Sequence, residues 1–117
     1  MENKRRLGNH YEHIAAEYLK QNGYQILEQN FYTRIGEIDI IARDNDYLCF
    51  VEVKYRAGYH YGYAAEAVNY PKQRTICRVA SLYMRIKKLP PKTPVRFDVV
   101  SIQGEDIRLF RNAFPAR

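Results

Sequence analysis

The sequence predicts a single-domain α/β protein in which a central, mixed five-stranded sheet is flanked by helices. Three observations carry that expectation. A chain of 117 residues is long enough for one real core. Its apolar residues recur with helical spacing in two stretches and form short strand-like runs in five others. The order of these stretches is helix, three strands, helix, two strands, which is the order of a sheet covered by helices.

Residues 4–22 are expected to be a helix, because Leu7, Tyr11, Ile14, Ala15 and Tyr18 make an apolar stripe at helical spacing. Gly23 supplies the C-terminal stop. Residues 24–33 (YQILEQNFYT), 36–43 and 47–55 read as strands, with Asp44-Asn45-Asp46 as the turn between the last two. Residues 56–63 (RAGYHYGY) are a glycine- and tyrosine-rich loop. Pro71 suits the first turn of a helix that runs from about residue 71 to 87. Pro90, Pro91 and Pro94 then break the chain, and residues 95–102 and 106–111 form a last hairpin around Gly104. No repeat, low-complexity stretch or domain-sized linker interrupts this order, so residues 1–117 form one domain.

A hydrophobic fraction of 46% and an aromatic fraction of 14% mark a chain that folds. Nineteen Lys and Arg stand against thirteen Asp and Glu, and the net charge of +6 favours a polyanionic partner, nucleic acid first. Scattered lysines on a basic protein account for the charge equally well. The spacing of Cys49 and Cys77 fits neither a metal site nor a disulfide framework, so both are expected as reduced thiols in a cytoplasmic protein. The polar, basic N-terminus reads as no signal peptide, and the longest apolar runs are of strand length, so no membrane span is expected.

The central hairpin carries the chemistry. Gly36-Glu37-Ile38-Asp39-Ile40-Ile41-Ala42 and Phe50-Val51-Glu52-Val53-Lys54 are apolar runs with charges where a core should have none. A buried charge is costly unless it is paired, metal-bound or catalytic. Glu52 and Lys54 share a strand face, and a turn near residue 45 sets Asp39 opposite residue 50, 51 or 52. Carboxylates about 4.5–8 Å apart at Cα or Cβ can reach one divalent cation. Asp39 and Glu52 would hold it, the Val53 carbonyl would add a backbone ligand, and hard oxygen donors favour Mg²⁺ or Mn²⁺. Lys54 would orient the attacking water and offset charge growing on the phosphate. The plain alternative is an ion pair between Lys54 and either carboxylate across the hairpin.

At these residues the chain resembles the YraN family of small bacterial endonuclease-like proteins, within the PD-(D/E)XK nuclease superfamily. Its architecture is similar to that of archaeal Holliday junction resolvases. The matching segments are Gly8-x-x-x-Glu12, Gly23-Tyr24-x-Ile26-Leu27-x-x-Asn30, Gly36-Glu37-Ile38-Asp39, Phe50-Val51-Glu52-Val53-Lys54-Tyr55-Arg56, Lys72-Gln73, Arg96-Phe97-Asp98 and Asn112-Ala113-Phe114. Each is weak alone, and the ordered set, spanning nearly the whole chain, is specific. The resemblance implies a restriction-endonuclease-like fold, with Asp39, Glu52 and Lys54 in the acidic-acidic-lysine positions. It also implies that Glu12, by pattern only a boundary carboxylate beside Ala15 and Leu19, turns toward that site. By analogy with the resolvases, a homodimer acting on branched DNA is expected.

Other residues are weighed against this frame. Lys72 falls on the apolar stripe of Ile76, Val79, Ala80 and Tyr83, apart from solvent-facing Arg74, Arg78 and Arg85, so it needs an anionic partner or must snorkel outward. Gln73 flanks the same stripe and could orient a water or a phosphate. Arg34, Arg56, Tyr55, Tyr59, Tyr61 and Tyr63 cluster around the site segments as candidate nucleic-acid contacts, with core padding the even alternative for the tyrosines. Glu37 shares the strand face of Asp39 and ranks below it. Asp98 is expected to pair with Arg96 on its own strand. His10 and His13 lack a third ligand and read as surface residues.

The expected function is therefore metal-dependent hydrolysis of phosphodiesters in branched or structured DNA, with DNA favoured over RNA. A nucleic-acid-binding module with a silent nuclease-like site is the main alternative. A protein-interaction domain that retains only the fold is the third.

Overall fold

Gly23, at φ 91°, ends the first helix, α1 (Lys4–Gln21), where only a residue without Cβ turns freely. The amides of Asn22, Gly23 and Tyr24 close back on carbonyls of the last turn. The computed structural model describes the backbone of residues 4–56 and 68–117, with side chains from residue 7 onward. Tyr59, Tyr61, Tyr63 and the loop expected after residue 56 lie outside the described residues.

The strands follow as β1 (Gln25–Tyr32), β2 (Glu37–Asp44), β3 (Tyr47–Arg56), β4 (Val95–Gln103) and β5 (Asp106–Phe114), with helix α2 (Tyr70–Ile86) between β3 and β4. Their ends fall close to those read from the sequence, except that β5 runs on to Phe114. The extension rests on a register shift opposite Asp98. There Asn112 adopts φ 55°, and its N–H bonds Asp98 Oδ1 at 2.9 Å. The sequence of Arg111-Asn112 hides a strand that continues past an irregular step.

The strands form one five-stranded sheet in the order β1-β2-β3-β4-β5. Neighbours are antiparallel except β3 and β4, which are parallel. A parallel pair needs a crossover, and α2 lies within that connection. Alternation along β3 sends Leu48 and Phe50 into a core with Ile76, Val79 and Tyr83 of α2. Cys49, Val51 and Val53 enter a second core with Ala15, Ala16 and Leu19 of α1. The helices thus cover opposite faces, and the expected α/β architecture with a mixed five-stranded sheet is what the chain adopts. Its layers are consistent with a restriction-endonuclease-like fold. Gly36 lets the β1–β2 turn approach α2: a Cβ there would stand 2.7 Å from the Thr75 methyl.

Asp98 is fully buried and pairs with Arg96 at 2.9 Å, as its place on the strand suggested. The pair is part of a larger network. Tyr24 donates its hydroxyl proton to Asp98 at 2.6 Å, while Arg96 and Arg111 reach Asp44 at 2.7 and 3.1 Å. Asp44, expected in the turn, is instead the buried last residue of β2, and the arginines hold its carboxyl below the usual range. Cys49 and Cys77 are free and buried. No helix among the described residues is long and apolar enough to cross a membrane.

Candidate active site where two strands part

β2 and β3 pair from Asp44↔Tyr47 to Ile40↔Val51, and there their ladder stops. Both strands continue, β2 paired to β1 as far as Glu37 and β3 paired to β4 as far as Arg56. The sheet therefore opens between its second and third strands. Asp39, the first residue past the last pair, fills the gap with its carboxylate. Its Oδ2 accepts the Val53 N–H at 2.8 Å, replacing the backbone acceptor that the ladder would have supplied. Carrying the register one step further sets Asp39 opposite Glu52. In a strand the N–H and C=O of one residue point the same way, so the Val53 carbonyl also faces the opening.

The opening is a cleft of about 370 Å³ whose walls include Glu12, Asn30, Glu37, Asp39, Glu52 and Val53. Glu52 is buried, and its carboxyl sits within hydrogen-bonding reach of Asp39. Burial pushes its pKa strongly up, the neighbouring Asp39 charge adds to this, and Lys72 and Lys54 oppose it. Glu12 reaches the same opening from α1. Its Oε1 is buried with no hydrogen-bond partner among the described residues. Burial, then Asp39 and Glu37, raises the Glu12 carboxyl to about 7, against a smaller opposing pull from Asn30.

Lys72 stands in the first turn of α2, where the Asn69 side chain caps the helix by accepting the Lys72 N–H at 2.9 Å. Its ammonium meets Glu52 Oε2 at 3.7 Å. The counter-ion foreseen for this lysine is thus a cleft carboxylate. Lys54 lies on the Glu52 face of β3 and acts on its charge, yet it is not among the residues lining the cleft.

The residues fit a divalent cation on the chemistry of their donors. Two carboxylates and a carbonyl converge as hard oxygens, and a buried carboxylate oxygen beside them lacks a partner. Among the described residues no three His, Cys, Asp or Glu side chains form a ready ligand group. His10 and His13 are exposed on α1, in keeping with surface residues.

The remaining candidates separate. Arg34 is exposed in the β1–β2 turn and Arg56 at the end of β3. Gln73 is engaged elsewhere: its amide donates to the Val68 carbonyl at 2.8 Å and accepts from Arg117 at 2.7 Å. Both ends of the side chain are thus occupied by partners within the chain. Tyr55 stacks on Tyr11, ring centroids 4.2 Å apart. Asn30 lines the cleft at φ 56° without having been assigned a role from the sequence. The available signal was an asparagine, the non-glycine type that best tolerates this conformation, inside an apolar strand.

Residues 11–102 match the sequence profile of the uncharacterised protein family UPF0102. Among similar proteins, a UPF0102 protein of Lachnoclostridium phytofermentans is 51% identical over 114 residues, covering 97% of each chain. One of Symbiobacterium thermophilum is 49% identical, covering 96% of this chain and 98% of its own. One of Aliivibrio salmonicida is 46% identical, covering 95% of this chain and 93% of its own.

Proposed function

We propose that this chain, which belongs to the UPF0102 (YraN) family, is a divalent-metal-dependent nuclease that hydrolyses phosphodiesters in structured DNA. The observation that carries the reading is the meeting of Asp39 and Glu52 in an open cleft, beside a Val53 backbone that Asp39 itself positions. A purely structural role gives no reason to crowd Glu12, Glu37, Asp39 and Glu52 around one cavity.

Asp39, Glu52 and the Val53 carbonyl would hold Mg²⁺ or Mn²⁺. When bound, the ion supplies Lewis acidity at a phosphate oxygen and lowers the pKa of a coordinated water. The chain's own residues do the rest. Glu12, with a carboxyl that titrates near neutrality, is suited to take a proton from water at its unpartnered Oε1. Lys54 brings positive charge to the side of the site where a pentavalent phosphate would gather negative charge. Asn69 holds Lys72 in place by fixing the first turn of α2.

A second reading is favoured by one specific observation. The Lys72–Glu52 pair gives that carboxylate a counter-ion without metal, as a silent nucleic-acid-binding module would need. A cleavage assay separates the two. Wild type, Asp39→Asn and Lys54→Ala are incubated with Mg²⁺ or Mn²⁺ on four-way junction, flap, single-stranded and duplex DNA. Cleavage by wild type that is lost by at least a hundredfold in both variants is the expected result. Binding without cleavage in all three proteins would move the assignment to the silent module.

A further inference from the structure

We infer that the exposed face of α2 is a docking surface for the phosphate backbone of duplex nucleic acid. The inference rests on the nucleic-acid reading above and adds a surface which that reading does not use. Helix α2 (YPKQRTICRVASLYMRI) contains no acidic residue. Its buried stripe faces the sheet, and Arg74, Arg78 and Arg85 are exposed on the opposite side. At 3.6 residues per turn they lie within about 40° of one another around the axis. At 1.5 Å per residue they stand about 6 Å and then about 10 Å apart along it, a scale that matches phosphates repeating every ~3.4 Å of axis along one strand.

Among the described residues none of the three makes an ion pair, although Lys20, Lys87, Arg96, Arg108 and Arg111 elsewhere on the chain all do. Arg74 and Arg78 border a shallow depression of about 190 Å³. The β1–β2 turn, which carries exposed Arg34, reaches the same helix through Gly36 and Thr75. Lys72, two residues before Arg74, lies on the opposite, sheet-facing side of the helix and reaches Glu52. Single-strand binders interleave aromatic platforms with their cations. Here the three arginines share their helix face with a single exposed ring, Tyr70, which lies 6.0 Å from the Arg74 guanidinium, and Tyr83 is buried; cations outnumber stacking platforms, so a duplex backbone is the fitting partner.

The test is fluorescence anisotropy of labelled duplex and single-stranded DNA without divalent metal, across a salt series. Wild type is compared with an Arg74→Ala/Arg78→Ala/Arg85→Ala variant and with a charge-matched control, Lys20→Ala/Lys92→Ala/Arg108→Ala. Circular dichroism checks that each folds. The α2 variant is expected to lose at least tenfold in duplex affinity, and its salt slope to fall by about 3, near one for each phosphate contact. The control should lose no more than threefold. Equal losses in both variants, an unchanged slope, or tighter binding of single strands by wild type would each overturn the inference. Salt-sensitive duplex binding by wild type that only the α2 substitutions weaken keeps the surface standing even if cleavage is never seen. No salt-sensitive binding by wild type removes the surface together with the nucleic-acid reading.

Discussion

Single residues decide the chemistry of the cleft, and Glu12 is the most testable. Its carboxyl is raised from 4.5 to about 7, so the folded protein keeps a proton that the unfolded chain has already released. Stability from this group is complete below the ordinary carboxylate range and is lost as pH rises through about 7. Glu52 is shifted in the same direction. Metal-free protein in chelator is therefore expected to melt at progressively lower temperature between pH 5 and pH 8. Glu12→Gln should make that decline shallower and raise the melting temperature at pH 8. A decline unchanged by the substitution would show that Glu12 is ordinary. The opposite case is Asp98, whose charge is fully spent inside the fold. Asp98→Ala takes one of half-buried Arg96's two carboxylate partners and leaves the Tyr24 hydroxyl and the Asn112 amide without their acceptor. A loss of about 3–5 kcal/mol in denaturant unfolding is expected. Asp39 and Glu52 drew notice in the sequence because a charge inside an apolar strand is conspicuous, and both line the cleft, whereas Lys54, marked with them, does not. The partnerless Glu12 oxygen was not legible there, because it depends on which groups α1 and the open sheet bring near it.

At the scale of elements, the site is made by a ladder that stops and by a helix that starts. β2 and β3 cease pairing at Ile40↔Val51, and α2 begins at Tyr70 with Lys72 in its first turn. Asn69→Ala removes the cap that fixes this turn, and a cost of about 1 kcal/mol is expected. The same change should loosen the Lys72–Glu52 pair, readable as a drop in the Lys72 side chain's protection from acetylation in wild-type comparison. Unaltered stability would mean that Pro71 and helix packing hold the turn unaided. Both helices and all five strands could be read from periodicity, because the sheet's two covered faces impose it. The end of β5 could not. Its continuation depends on the Asn112 amide finding Asp98, a contact between residues that the sequence separates. The turn assigned to Asp44 failed for a related reason: Arg96 and Arg111, far along the chain, hold that carboxylate in the strand.

The whole molecule combines an acidic cleft with a basic body. A net charge of +6 coexists with four carboxylates around one opening, so charge is sorted rather than averaged. A polyanion attracted by the basic surfaces would be repelled at the cleft unless cations were there to receive it. Under the proposed function, that division would give metal and nucleic acid complementary places.

The most direct test is a calorimetric titration of Mn²⁺ into wild type, Asp39→Asn and Glu52→Gln at neutral pH, repeated in buffers of different ionisation enthalpy. One ion should bind wild type and release close to one proton, because the Glu52 carboxyl, pushed up by burial, must ionise to hold it. Both variants should bind at least tenfold more weakly while remaining folded. Equal Mn²⁺ affinity in all three proteins, or binding without proton release, would contradict a metal site at the parting of β2 and β3.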